Sequence, residues 1–124
     1  MSGGIADESD GLRVLVCGGR DYRNQTAVRD TLDAIHAERP IGLVITGAAP
    51  GADTLAETWA RAREVNYLGV PAKWTRYDRS AGPIRNRAML KFRPQLVVAF
   101  PGHNGTADMK SVARAQHIEL IEAP

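Results

Sequence analysis

Residues Leu96–Met109 read LVVAFPGHNGTADM. Five apolar residues, Leu96 to Phe100, run without interruption into Pro101 and Gly102, and a helical spacing begins beyond Gly105 and Thr106. An unbroken apolar run of this length suits a strand covered on both faces, and Pro-Gly ends it sharply. A covered strand that turns straight into a helix is a βα unit. The first question is therefore whether the rest of the chain repeats it.

It does. Leu12–Cys17 (LRVLVC) is followed by Gly18-Gly19-Arg20-Asp21, and Ile41–Thr46 (IGLVIT) by a loop holding Gly47 and Gly51. Gln95–Phe100 is the next strand, and Ile118–Ile121 (IELI) closes the chain. A weaker run from Tyr67 to Trp74 contains Pro71, which suits only an edge strand or a broken one. Between the strands, Val28, Leu32 and Ile35 share a helical face behind an Asn24 N-cap. Leu55, Trp59 and Ala62 do so next, and Met109, Val112 and Gln116 in the last helix. A further helix is expected from about Pro83 to Phe92. Strand and helix in alternation predict an α/β fold: a Rossmann-like, mostly parallel five-stranded sheet with helices on both faces. Residues 1–11 read as a loose, acidic tail, and 12–124 as a single domain.

The composition agrees with a globular domain. The chain has 124 residues, 44% hydrophobic and 24% charged, with a net charge of +2. So small a net charge does not mark a nucleic-acid binder. One cysteine, Cys17, excludes an internal disulfide and reads as a small buried hydrophobe, with a reactive thiol the alternative. His36, His103 and His117 are too scattered for a metal cluster, and nothing demands a cofactor. There is no signal-like start and no apolar run long enough to span a bilayer, so a cytoplasmic protein with no membrane partner is expected.

In an open parallel sheet, ligands bind beyond the carboxyl ends of the strands. Here those ends carry glycine: Gly18 and Gly19, Gly47 and Gly51, Gly102 and Gly105. Bare backbone in front of a helix N-terminus suits a phosphate, although tight turns also carry glycine for geometry alone. No loop has the dinucleotide fingerprint or the Gly-Lys-Ser/Thr of a P-loop. Arg20 follows the first pair of glycines. Arg85 falls in the first turn expected for the helix near Pro83, where a cation is disfavoured unless an anion lies close. Arg85 also shares a face with Met89 and Phe92, so its stem should lie on the sheet and its guanidinium at the loop edge; snorkelling to water or pairing with Asp78 is the alternative. Asp21, Asp53 and Asp108 each follow a strand end. Asp53 and Asp108 would stabilise a first helical turn with no ligand, or bind a ribose hydroxyl with one.

The succession VLVCGGRDY, GAAPGADTLAETWA, AGPIRNRAML and VVAFPGHNGTADM resembles the YspA-like branch of the SLOG superfamily, which includes the Lonely Guy phosphoribohydrolases and the DprA/Smf proteins. The resemblance runs from about Arg13 to the C-terminus. It implies a nucleotide or a related sugar phosphate bound at the strand ends. In the Lonely Guy enzymes a PGGxGTxxE motif grips phosphate and supplies a glutamate, and an RKxxM motif supplies an arginine. Pro101, Gly102, Gly105 and Thr106 match the first, with His103 for its second glycine; Arg85 and Met89 match the second, with Asn86 for its lysine. The glutamate position holds Met109, and the nearest acid is Asp108. The second loop carries Ala48 and Ala49 where related loops tend to be richer in glycine. The resemblance also implies a homodimer.

Three functions compete. As a sensor or carrier the domain would hold a nucleotide with Gly18, Gly19, Arg20, Asp21, Gly47, Gly51, Asp53, Asn86, Pro101, Gly102, Gly105 and Thr106. As a nucleoside 5′-monophosphate phosphoribohydrolase it would add Arg85 and Asp108 as catalytic residues, the carboxylate facing the charge that develops at the sugar. As a nucleic-acid binder it would use Lys73, Arg76, Arg79, Arg85, Arg87, Lys91 and Arg93, with Trp74 and Tyr77 interleaved. A solvated face explains that segment better, so nucleic acid is not the expected partner. Trp59 reads as core, and Trp74 as packing or a base-stacking residue.

Overall fold

A computed structural model describes residues 11–73 and 80–124 of the protein. Most of the expected tail, together with Trp74, Arg76, Tyr77, Asp78 and Arg79, lies outside the described residues. The elements are β1 (Leu12–Cys17), α1 (Gln25–Glu38), β2 (Ile41–Thr46), α2 (Ala52–Ala62), β3 (Asn66–Gly69), α3 (Ala81–Met89) with a 3₁₀ turn over Leu90–Phe92, β4 (Leu96–Ala99), α4 (Asn104–Ala115) and β5 (Glu119–Glu122).

Among the described residues all five strands are parallel, in the order β3-β2-β1-β4-β5. The chain steps outward from β1 to β3 and then returns to β4 on the other side of β1. Parallel crossovers have one hand, so helices laid down in opposite directions cover opposite faces. Accordingly α1 and α2 pack on one face, where Val14, Val16, Val44, Leu96 and Val98 meet Val28, Leu32, Ala56 and Trp59. Met89 of α3 and Met109, Val112 and Ala113 of α4 meet Leu15, Cys17, Ile45, Val97 and Ala99 on the other. Alternate residues of β1 and β4 feed the two cores, which is why Val14–Cys17 and all of β4 read as unbroken apolar runs. Among the described residues no helix is long and apolar enough to cross a membrane.

Several boundaries differ from those expected. The weak third strand ends at Gly69, before Pro71, and forms a sheet edge. Gln95 and Phe100 flank β4, and β5 is shifted by one residue. On α2 the buried face is Ala52, Asp53, Ala56, Trp59 and Ala60, with Ala62 exposed. Gln116 is exposed past the end of α4. Phe92 does not share the buried face of Met89: the tighter 3₁₀ turn rotates it outward, leaving it 41% exposed. Asn24 caps α1 as expected, its side-chain oxygen accepting the Ala27 amide at 3.0 Å.

Candidate functional site

The chain reverses direction across β1 and β4, and a crevice opens where the loops beyond these two strands diverge. A cavity of about 560 Å³ lies there, closed on one side by the loop after β2 and on another by α3. Gly19 knits its walls together. Its amide donates to the Pro101 carbonyl at 2.8 Å, and its own carbonyl accepts from Ala52 at 3.1 Å and Tyr22 at 3.2 Å. Gly51, at φ 81°, lies so close to this segment that an added β-carbon would overlap the Gly19 carbonyl. Gly51, Pro101 and Gly102 therefore join the loops and do not line the cavity. Gly18, Gly19, Arg20, Asp21, Gly47, Asp53, Arg85, Asn86, Gly105 and Thr106 all line it.

Arg85 reaches the site from α3. Because that helix begins at Ala81, Arg85 stands in its second turn, and repulsion from the helix N-terminus is not what marks it. What marks it is the neighbour it covers. The guanidinium lies against Gly47, where an added β-carbon would overlap it, and Nη1 donates to the Gly47 carbonyl at 2.7 Å. Nε donates to Asn86 Oδ1 at 3.0 Å. Burial draws the Arg85 pKa below its ordinary value; Asp53 opposes that change and Arg20 adds to it. Two guanidinium groups thus act on each other at one cavity.

Asp53, at the start of α2, is 5% exposed. Its Oδ2 accepts from the amides of Gly47 at 3.0 Å and Ala49 at 3.2 Å, so these two amides are satisfied from within. Burial pushes the carboxyl up to about 6, against the lowering effects of the two amides and Arg85. Cys17, beneath it, is pushed up to about 12 by burial and by the Asp53 charge, so its thiol is a neutral part of the floor.

The N-terminus of α4 is different. No side chain caps it; the Ala107 amide closes on the His103 carbonyl, and the amides of Asn104, Gly105 and Thr106 meet no protein acceptor among the described residues. Thr106 is 6% exposed and lines the cavity, and its hydroxyl makes no hydrogen bond among the described residues. At the mouth, His103 Nε2 lies 3.7 Å from Asp21 Oδ2.

Asp108 is turned elsewhere. It stands in the second turn of α4, not the first, and its Oδ2 accepts from Asn86 Nδ2 at 2.9 Å and Arg87 Nη1 at 3.3 Å. Asn86, 3% exposed, also donates to the Gly105 carbonyl at 3.1 Å. It is the junction between α3, α4 and Arg85. Met109, at the position of the family glutamate, is fully buried in the second core. Met89, which the resemblance matches to the RKxxM motif, also lines the cavity, as does Arg23, which only its place in the fold reveals. Among the described residues no group of three or more His, Cys, Asp or Glu side chains could hold a metal ion.

The model of the YspA, cpYpsA-related SLOG family matches residues 12–77, which include the strands and loops that build the β1 and β2 sides of this cavity. The chain belongs to that family. This SLOG chain is also 36% identical over 96 residues to the Gene 61 protein of Mycobacterium phage D29, covering 72% of the chain and 76% of that relative. Among solved structures it is similar to DNA processing protein A (DprA) from Streptococcus pneumoniae, with a TM-score of 0.71 and 15% identity. That likeness covers 90% of the SLOG chain but 50% of the DprA chain, and at this identity it speaks for the fold alone.

Proposed function

We propose that this SLOG domain binds a nucleotide or nucleotide-derived sugar phosphate at the cavity between β1 and β4, acting as a sensor or carrier. The observation that carries the reading is the buried Thr106 hydroxyl, unpartnered among the described residues, beside the uncapped amides of Asn104, Gly105 and Thr106. A buried hydroxyl without a hydrogen bond costs on the order of 1–3 kcal/mol, and a phosphate oxygen removes that cost. The helix terminus adds its positive partial charge, and Arg20 and Arg85 add two whole ones. Family membership supports a nucleotide-related ligand.

Binding is favoured over bond cleavage. Asp108 has its carboxylate oxygen engaged by Asn86 and Arg87, and the glutamate position is a core methionine. A thermal-shift panel of nucleoside monophosphates, dinucleotides and ribose 5-phosphate tests the reading. A ligand at one hundred times its Kd stabilises by about 2.7 kcal/mol, on the order of 10 °C for a domain of this size. Thr106→Val should abolish that shift while raising the ligand-free melting point by several degrees, because the variant no longer buries an unpartnered hydroxyl. A flat response across the panel argues against the site. Release of free base from any of the monophosphates would instead establish the hydrolase.

A further inference from the structure

Asp53 is a carboxylate in the wall of the cavity, all but removed from water, with both backbone hydrogen bonds on the same oxygen, Oδ2. The other oxygen, Oδ1, has no hydrogen-bond partner among the described residues. Few titratable groups face it: Arg85 from α3, Cys17 from β1, and Glu57 from α2 itself. The thiol carries no charge, and Glu57 carries the wrong sign. Among the described residues Arg85 is the cation set against Asp53, and it is committed elsewhere, with Nη1 on the Gly47 carbonyl and Nε on Asn86.

An anion entering this space draws on the remaining donors of the same guanidinium. Asp53 would then be a desolvated negative charge beside a second one, and both would draw on Arg85, while Arg20 serves the anion alone. Two like charges placed together out of water do not both stay ionised. We propose that the ligand enters with a proton: binding of an anion at Arg85 is coupled to protonation of Asp53, which makes Asp53, rather than Asp108, the proton-exchanging acid of the site. One proton passes from bulk water to Oδ1, the oxygen that the two amides leave open. The resulting O–H then donates to the anion that had repelled the carboxylate. No covalent bond is made or broken besides this O–H. Burial already holds the Asp53 carboxyl at about 6, so a modest additional push carries it through neutrality. The inference rests on the anion-binding reading above and adds to it a control by pH.

Calorimetric titration with adenosine 5′-monophosphate, in two buffers of different ionisation enthalpy, counts the protons. The wild type and Asp53→Asn are compared at pH 6.5, 7.0 and 7.5, so that the phosphate's own titration cancels. Asparagine keeps one oxygen for the Gly47 and Ala49 amides. The wild type should take up about half to one proton more than the variant at pH 7, and its affinity relative to the variant should fall severalfold, up to about tenfold, per pH unit. Equal proton counts overturn the coupling and leave the binding reading standing. Should Asp53→Asn fail to fold, the carbon-13 carboxyl resonance of Asp53 in the wild type decides: its midpoint must rise when the nucleotide is saturating, and an unmoved midpoint overturns the proposal. If neither adenosine 5′-monophosphate nor ribose 5-phosphate binds the wild type, both the reading and the coupling fall together.

Discussion

Asp53 carries a cost that can be measured without any ligand. Its carboxyl rises from an ordinary 3.8 to about 6 in the fold. The folded protein therefore holds this proton more tightly than the unfolded chain, and stability falls as pH rises from about 4 to 6, then levels off. The loss amounts to roughly 3 kcal/mol at about 1.36 kcal/mol per unit. Asp53→Asn should be more stable than the wild type at pH 7.5 by up to about this amount, and the advantage should vanish at pH 4; urea unfolding at the two pH values checks it. Ala48 offers a second residue-level test. Its φ of 56° is left-handed, a region that costs a side chain about 1 kcal/mol or more. Ala48→Gly should gain about 0.5–1 kcal/mol, less what glycine's freer unfolded chain takes back. The resemblance pointed to this position through the scarcity of glycine in the second loop; the left-handed backbone gives the physical reason.

At the scale of elements, the site depends on how α3 and α4 are joined. Asn86 spends its amide on Asp108, on the Gly105 carbonyl and on Arg85 Nε, and it is buried. Asn86→Ala should cost about 1–3 kcal/mol, because three polar groups lose a partner. It should also weaken ligand binding by releasing Arg85. Arg87 bonds the same Asp108 from a side chain that is 56% exposed. Arg87→Ala should change stability by no more than about 0.5 kcal/mol. Thermal unfolding of the pair separates a buried junction from a surface ion pair. Gly102 is the comparable joint between α4 and the β1 loop: an added β-carbon would overlap Thr106 Oγ1 and crowd the Gly19 amide. Gly102→Ala should cost about 1–3 kcal/mol by overpacking, measurable by the same unfolding experiment.

Across the whole molecule, stability concentrates in the central strands, where β1 and β4 are covered on both faces. Leu96 is fully buried and Leu120, on the edge strand β5, only partly so. Leu96→Ala should cost about 2–5 kcal/mol and Leu120→Ala distinctly less, as read from urea midpoints. The same contrast governs what could be read beforehand. Strands β1 and β2 were legible to the residue, because two-sided burial writes a run rich in Val, Ile and Leu without strict alternation, closed by glycine at its end. The start of α3 was not, since Ala81 and Gly82 carry no capping signal and Pro83 reads as the first turn wherever the helix begins. The sequence alone determined the alternation of strands and helices, hence the sheet and the rim at which its glycine loops gather, because local periodicity and turn chemistry decide these. Tertiary structure alone decided which residues meet there. Arg85 covers Gly47 from 38 positions away, Asp53 rather than Asp108 faces the cavity, and Gly51 and Gly102 act as joints. Such contacts depend on the path the chain takes between elements, and neither spacing nor composition encodes that path.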